Sequence, residues 1–422
     1  MSLPSGYKRL EYIQSTGTQY VNTGVLVSKN LEIKLKFMLT SITNHGIVGY
    51  MQSVSSGTNR FAVYQYGGAW YFDFGNDTTG RISGGSFNAN TLYDITVGNR
   101  YIKNNETESN IISGSVISNL TNSNSISILC ETDCGIGKIY SCQIYDNGTL
   151  VRDYIPCQTT AGEIGLWDDV NGVFYGNAGT GTFTAGPIIA IAADESEITK
   201  LEYIESTGTQ HLDSLFKPNN HTRVVIDFQS TFSTANSPKG LLGSRNSSDI
   251  GIFAFLYLNR IDPNYNGVGK SVTVDSLQRH VYDFNQNSFS VDGAAVSFDA
   301  GVFSPGYNLL LLSVQNYGAI DNRKAEGYLY SCQIYDNDTI IRDYIAAKLS
   351  DGTVGLYDKL NGLLYINAGT GTFEAGPSSL NLPVNIGGTW KDANEAFVNI
   401  GGTWKTVKAA FVNIDGAWKK LG

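Results

Sequence analysis

The chain has 422 residues, room for two or three domains, and its 41% hydrophobic and 16% charged residues describe a packed protein rather than a disordered one. A formal net charge of −9 argues against a nucleic-acid partner, which would need clustered Lys and Arg. No apolar run reaches the ~20 residues that cross a bilayer, so membrane insertion is not expected.

The opening "MSLPSGYKRLEYIQSTG" has no apolar core of the secretory kind, so folding is expected in a cytosol. Cys130, Cys134, Cys142, Cys157 and Cys332 form no CxxC pairs and read as buried thiols, a Cys130–Cys134 bond being the alternative. The next element is a strand: Leu31, Ile33, Leu35 and Phe37 alternate with Glu32, Lys34 and Lys36. "AVYQYGGAWYFDF" predicts a hairpin about Gly67-Gly68, and Asn147-Gly148 and Asn171-Gly172 predict two more, since Asn and Gly best tolerate the positive φ of a type I′ turn.

The text then starts again. "LEYIQSTGTQ" at Leu10 is answered by "LEYIESTGTQ" at Leu201, "YSCQIYDNG" around Cys142 by "YSCQIYDND" around Cys332, and "NAGTGTF" at Asn177 by the same run at Asn367. Start, middle and end keep step, so one domain occurs twice: 1–187 and 201–377, with 188–200 as a linker whose acidic half is solvated. In the second copy Asp338 replaces the turn glycine, at some cost in turn stability. Many short strands separated by turns, and no capped helical period, predict an all-β chain of two tandem jelly-roll sandwiches.

Residues 378–422 are different: a fourteen-residue unit, marked by Val384, Val398 and Val412, nearly repeats three times. Gly387-Gly388, Gly401-Gly402 and Asp415-Gly416 predict a short hairpin in each unit, with Trp404 opposite Asn399. Isolated hairpins are marginal in water, so Trp390, Trp404 and Trp418, with Phe397 and Phe411, are expected to dock on one another, on sister chains or on a larger assembly.

The order "GIVGY", "LYDITVGNRYIKNNE", "CQIYDNG…VRDYIP" resembles the laminin-G-like branch of the concanavalin A-like lectin/glucanase superfamily. The "GGTWK" tail behind "NAGTGTF" modules resembles the ends of phage and prophage tail-fibre or virion surface proteins. Those resemblances imply lectin-like domains on a virion assembled in the host cytoplasm, binding bacterial surface glycans, with other virion proteins as partners and a homo-oligomer, a trimer among the arrangements. A capsid- or tail-decorating protein without a receptor, or a bacterial surface adhesin, are the alternatives.

Chemistry is sparse. The E-x-D-x-E strand that glucanases of the superfamily use is absent, as are nucleophile-elbow, zinc-protease and phosphate-loop motifs, so no enzyme is expected. The four histidines are scattered and read as surface or satisfied residues. Sugar sites stack a pyranose on an aromatic ring beside Asn or Asp, and the candidates are Tyr64, Tyr66, Trp70 and Asp73 in the first copy and Tyr265 and Asn266 in the second. No cofactor is expected. Calcium is the one ion left open, at Asp168, Asp169 and Asn171, which otherwise shape their hairpin.

Overall fold

The computed structural model describes residues 3–421 apart from 43–44, 51–59, 76–80, 99–100, 105–106, 112–120, 130–132, 233–236, 247–248, 286–287, 299–300, 380–381, 387–388, 394–396, 401–402, 407–409 and 415–416. For 104–123 and beyond 381 it describes the backbone course only. The chain divides into two units, Met1–Ala192 and Ala193–Gly422.

In the first unit the strand Leu31–Leu39 buries every second residue, as its alternation demands. It lies between Tyr93–Gly98 and Ile136–Asp146, and the sheet continues through Thr149–Gln158 and Ile164–Asp168 to Val173–Tyr175. A second sheet runs Val21–Ser28, Thr121–Ile128, His45–Tyr50, Arg60–Tyr66, Ala69–Gly75, Arg81–Ser86. Ile33, Leu35 and Phe37 from one sheet and Val63, Trp70 and Phe72 from the other share one core. The unit is a jelly-roll β-sandwich.

The second unit repeats this order, and its second sheet adds the short strands Val272–Thr273, Gln315–Asn316 and Ala319–Ile320. Thr222–Ser230 lies between Arg279–Asn285 and Glu326–Asp336, and Thr339–Leu349, Val354–Asp358 and Leu363–Tyr365 follow. Its other sheet runs Leu212–Asp213, Leu310–Leu311, Lys239–Arg245, Gly251–Tyr257, Arg260–Tyr265 and Val268–Gly269. Val224, Ile226 and Phe228 are buried on one side, and Ile252, Ala254 and Leu256 on the other.

The motifs that agree best between the copies fasten the scaffold. Asn177 Nδ2 donates to the carbonyls of Thr180 and Gly181, while its Oδ1 accepts from the backbone of Tyr20 and Gly179. Asn367 does the same with Thr370, Gly371, His211 and Gly369. "NAGTGTF" is thus a loop wound on one amide and sewn to "STGTQ", whose Thr18 and Thr209 hydroxyls donate to the Thr180 and Thr370 carbonyls.

Residues 188–200, expected as a linker, are largely paired. Ile188–Ala192 adds to Lys8–Leu10, with Arg9 opposite Ala190, which is fully buried. Glu195–Glu197 forms a 3-10 turn in which the Glu197 carboxylate accepts from the Asp194 N–H at 2.7 Å. Ile198–Lys200 joins Thr339–Leu349. The apolar half was short enough to read as a connection, yet five residues suffice for a strand.

Turns sort by spacing. Asp146 pairs with Thr149 across Asn147 and Gly148, at φ 51° and 76°, and Tyr66 pairs with Ala69 across Gly67 and Gly68, at 58° and 78°, as a type I′ turn requires. Asn171-Gly172 differs: Asp168 pairs with Val173 over a longer loop, and of the two only Gly172 has positive φ. In the tail, Leu382–Ile386 pairs with Thr389–Ala393, Phe397–Ile400 with Thr403–Thr406, and Ala410–Ile414 with Ala417–Leu421. Asn399 is opposite Trp404 as expected. The turn residues between these strands, and the side chains of Trp390, Trp404, Trp418, Phe397 and Phe411, lie outside the described residues.

Cys134, Cys142, Cys157 and Cys332 are buried; the alternative bond to Cys130 falls on a residue outside the described ones.

Asp338 sits at φ 61° where its counterpart is Gly148. Replacing Asp338 with Gly removes that strain, and the expected outcome is a gain of about 0.5–1 kcal/mol in urea unfolding.

Candidate functional site

Asp168 lies fully buried at the start of its loop. Its Oδ1 accepts from the backbone N–H groups of Asp153 and Val170 at 3.1 and 3.2 Å, and Oδ2 from Asn171 Nδ2 at 2.7 Å. Arg152 Nε lies 3.4 Å from Oδ2. The second copy builds the same brace from Asp358, Asn361, Asp343, Leu360 and Arg342. Donors surround this carboxylate, whereas a calcium ligand must turn its lone pairs to a cation. Of the calcium candidates Asp168, Asp169 and Asn171, the Asp168 carboxylate is thus engaged in bracing its loop, with Asn171 Nδ2 donating to it, and Asp169 donates its N–H to the Asp153 carbonyl. Among the described residues no group of three or more His, Cys, Asp or Glu is placed to hold a metal ion.

His211 departs from the expectation of a surface or satisfied residue. It is 3% exposed, and its Nδ1 has no hydrogen-bond partner. Burial, with a smaller push from the Lys324 ammonium, lowers its pKa from 6.5 to about 4. Above pH 6.5 it is neutral both folded and unfolded. As pH falls from 6.5 toward about 4 the unfolded chain takes a proton that the folded one refuses, so stability is lost across that window. The loss is at most about 3 kcal/mol. Urea midpoints of the wild type and His211→Leu, compared from pH 7.5 to about 4, are expected to show a shallower acid decline in the variant.

Open chemistry lies on the outer face of the second sheet, and strand parity decides which residues reach it. In the first unit Tyr64 is opposite Tyr71, Ala62 opposite Asp73, and Asp73 opposite Arg81. Cross-strand partners share a face, so these residues point away from the core while Phe61, Val63, Trp70 and Phe72 point into it. In the second unit Phe255 is opposite Asp262, Phe253 opposite Asn264, Tyr257 opposite Arg260, and Asn264 opposite Gly269. The preceding strand sets the match between copies. Gly46 and Gly49 of "GIVGY" face Tyr64 and Ala62, and Gly240 and Gly243 of "GLLGS" face Phe255 and Phe253, each with a bulge between. A Cβ at Gly49 would stand 2.0 Å from the Phe61 carbonyl oxygen, which is why the position carries none.

This parity sorts the predicted sugar-binding residues. Trp70 is 2% exposed, packs on Tyr93 and faces the core, so it offers no ring to a sugar. Tyr265 is fully buried against Phe298 and Phe303. Asn266 follows it into a turn at φ 48°, where its N–H donates to the Gly251 carbonyl. Both candidates in the second copy are thus displaced; the outward positions are Asp262 and Asn264, which counting by twos from "GLLGS" would have found. Tyr66 is 56% exposed at the hairpin tip. Tyr64 and Asp73 do face outward but are buried together: Asp73 Oδ2 accepts from Tyr64 Oη, Arg60 Nη1 and Arg81 Nη2, each at 3.1 Å.

On the second unit a groove remains on this face, although Phe253 and Phe255 are themselves buried, at 6% and 9% exposure. A groove of about 330 Å³ runs between the row Phe253, Phe255, Tyr257 and the strand carrying Asp262 and Asn264, with Lys270 and Ser271 at its rim. Arginines cover the far side of the row: Arg245 lies 4.6 Å from the Phe253 ring and Arg323 lies 4.4 Å from Phe255. Arg260 stacks on Tyr257 at 3.8 Å and holds Asp262, whose Oδ1 also accepts from Ser271 Oγ at 2.6 Å. Asn264 Oδ1 accepts from the Gly267 N–H, and its Nδ2 has no partner among the described residues. Aromatic surface beside fixed polar groups is the composition that holds a hydroxylated ring by stacking and directed hydrogen bonds.

No protein-family model matches the sequence, and no curated protein matches it. Among solved structures the chain is similar to domains LG4-5 of the mouse laminin alpha1 chain, at 10% identity and a TM-score of 0.28, covering 81% of this chain and 92% of that one. It is also similar to the LG1-3 region of the laminin alpha2 chain, at 12% identity and a TM-score of 0.25, covering 83% and 66%.

Proposed function

We propose that the chain is a non-enzymatic glycan-binding protein of a phage particle, in which the groove of the second unit holds a saccharide of the bacterial surface. The observation that carries this reading is the row Phe253, Phe255, Tyr257 lying beside Asp262 and Asn264 across an open groove. A pyranose presents an apolar face and an equatorial ring of hydroxyls; an aromatic ring serves the first, the carboxylate and the amide the second. Nothing in the groove pairs carboxylates as hydrolysis of a glycosidic bond would require. The virion assignment rests on the resemblance of the "GGTWK" repeats to phage tail-fibre ends. In this reading the C-terminal hairpins attach or oligomerise the chain, and several weak groups then act together.

The test is retention of the full chain on an array of bacterial lipopolysaccharide and capsular oligosaccharides. Tyr257→Ala and Asp262→Ala are each expected to weaken binding about tenfold or more. A wild-type chain retained by no oligosaccharide on the array sinks the glycan reading. Immunogold labelling of intact phage particles tests the virion half.

A further inference from the structure

We infer that Arg81 closes, in the first unit, the groove that stands open in the second, so that this face takes a saccharide once per chain although the domain occurs twice. The inference rests on the glycan reading above for its ligand, but its structural half stands on the two units themselves. Parity places Arg81 and Gly269 at one address: each is the outward partner, on the next strand, of the residue at the Asp73 or Asn264 position. The Arg81 guanidinium lies 5.7 Å from the Tyr64 ring and 5.4 Å from the Tyr71 ring, and its Nε donates to Asp73 Oδ1 at 2.8 Å. Tyr64, Tyr71 and Asp73 are the counterparts of Phe255, Asp262 and Asn264, the residues that bound the open groove. One side chain therefore touches, in the first unit, each of the three positions that a ligand would touch in the second.

The closure is built in. Arg81 is held by both carboxylate oxygens of a fully buried aspartate and by two aromatic faces, and a planar guanidinium is the group that satisfies both at once. At Gly269 no such side chain exists; a Cβ there would stand 3.2 Å from Asn264 Nδ2, so the amide must shift by a few tenths of an ångström to admit one. Arg60 Nη1 also lies 3.1 Å from Asp73 Oδ2, so removing Arg81 leaves the buried carboxylate a second guanidinium.

The reciprocal pair Arg81→Gly and Gly269→Arg tests this in the full chain, with far-ultraviolet circular dichroism to confirm folding and Arg81→Ala as a second opening variant. Hydroxyl-radical footprinting reads the closure without any ligand. In the wild type the Tyr64 and Tyr71 rings are expected to oxidise slowly beside the exposed Tyr66, and in Arg81→Gly about tenfold faster. On the same oligosaccharide array, Gly269→Arg is expected to lose about tenfold or more in affinity, and Arg81→Gly added to it to restore binding. Equal oxidation of Tyr64, Tyr71 and Tyr66 in the wild type, or full binding by Gly269→Arg, overturns the inference. If the footprint changes as stated while the array stays blank for every variant, the arginine closure is upheld and the glycan reading falls.

Discussion

The two-residue period of a β-strand is the constraint on which this molecule turns. Each unit has one sheet face that must be dry and one that need not be, and the period assigns every residue to one or the other. Ile252, Ala254 and Leu256 fill the core of the second unit, and Phe253, Phe255 and Tyr257, interleaved with them, make the outer row. A slip of one residue would exchange these sets and put Asp262 and Asn264 into the core. The bulge after Gly46, repeated after Gly240, keeps the row in the same place in both units.

On that shared frame the two copies diverge by charge placement. The first unit gathers two arginines and a tyrosine hydroxyl around one outward aspartate. A buried carboxylate is costly unless paired, and here the pairing consumes the aromatic surface as well. The second unit has an amide in that position, which needs no counter-ion, and a glycine beyond it, which covers nothing. Its arginines are instead drawn to the opposite flank by Asp249 and Asp321, 2.7 and 2.6 Å away.

Much of the architecture was legible in the residues. The strand Leu31–Leu39 announces its buried side by strict alternation, the turns at Gly67-Gly68 and Asn147-Gly148 have the residues their backbone demands, and the duplication shows in "STGTQ" and "NAGTGTF". The site was harder to read, for a physical reason. Both faces of the Arg60–Tyr66 and Gly251–Tyr257 strands carry large apolar or aromatic residues, so hydrophobicity alone does not reveal which face is dry. Trp70 and Tyr265 look like binding residues by type and are core residues by parity. Asn171 looks like a turn residue and is, but through its side chain on Asp168 rather than through its own φ. Arg81 carried no signal, because nothing local in the chain shows that it crosses to Asp73.

The strand Ile188–Ala192 has a practical meaning for anyone who wishes to dissect this polypeptide. The repeat in the text stops at Pro187, which invites a cut there. Such a cut would strip from Lys8–Leu10 one of its two partners, leaving only Thr149–Gln158, and uncover the methyl of Ala190. The natural seam lies after Ala192. The next residue, Ala193, already belongs with the second half: its N–H donates to the Gly362 carbonyl, and its own carbonyl accepts the Tyr357 hydroxyl.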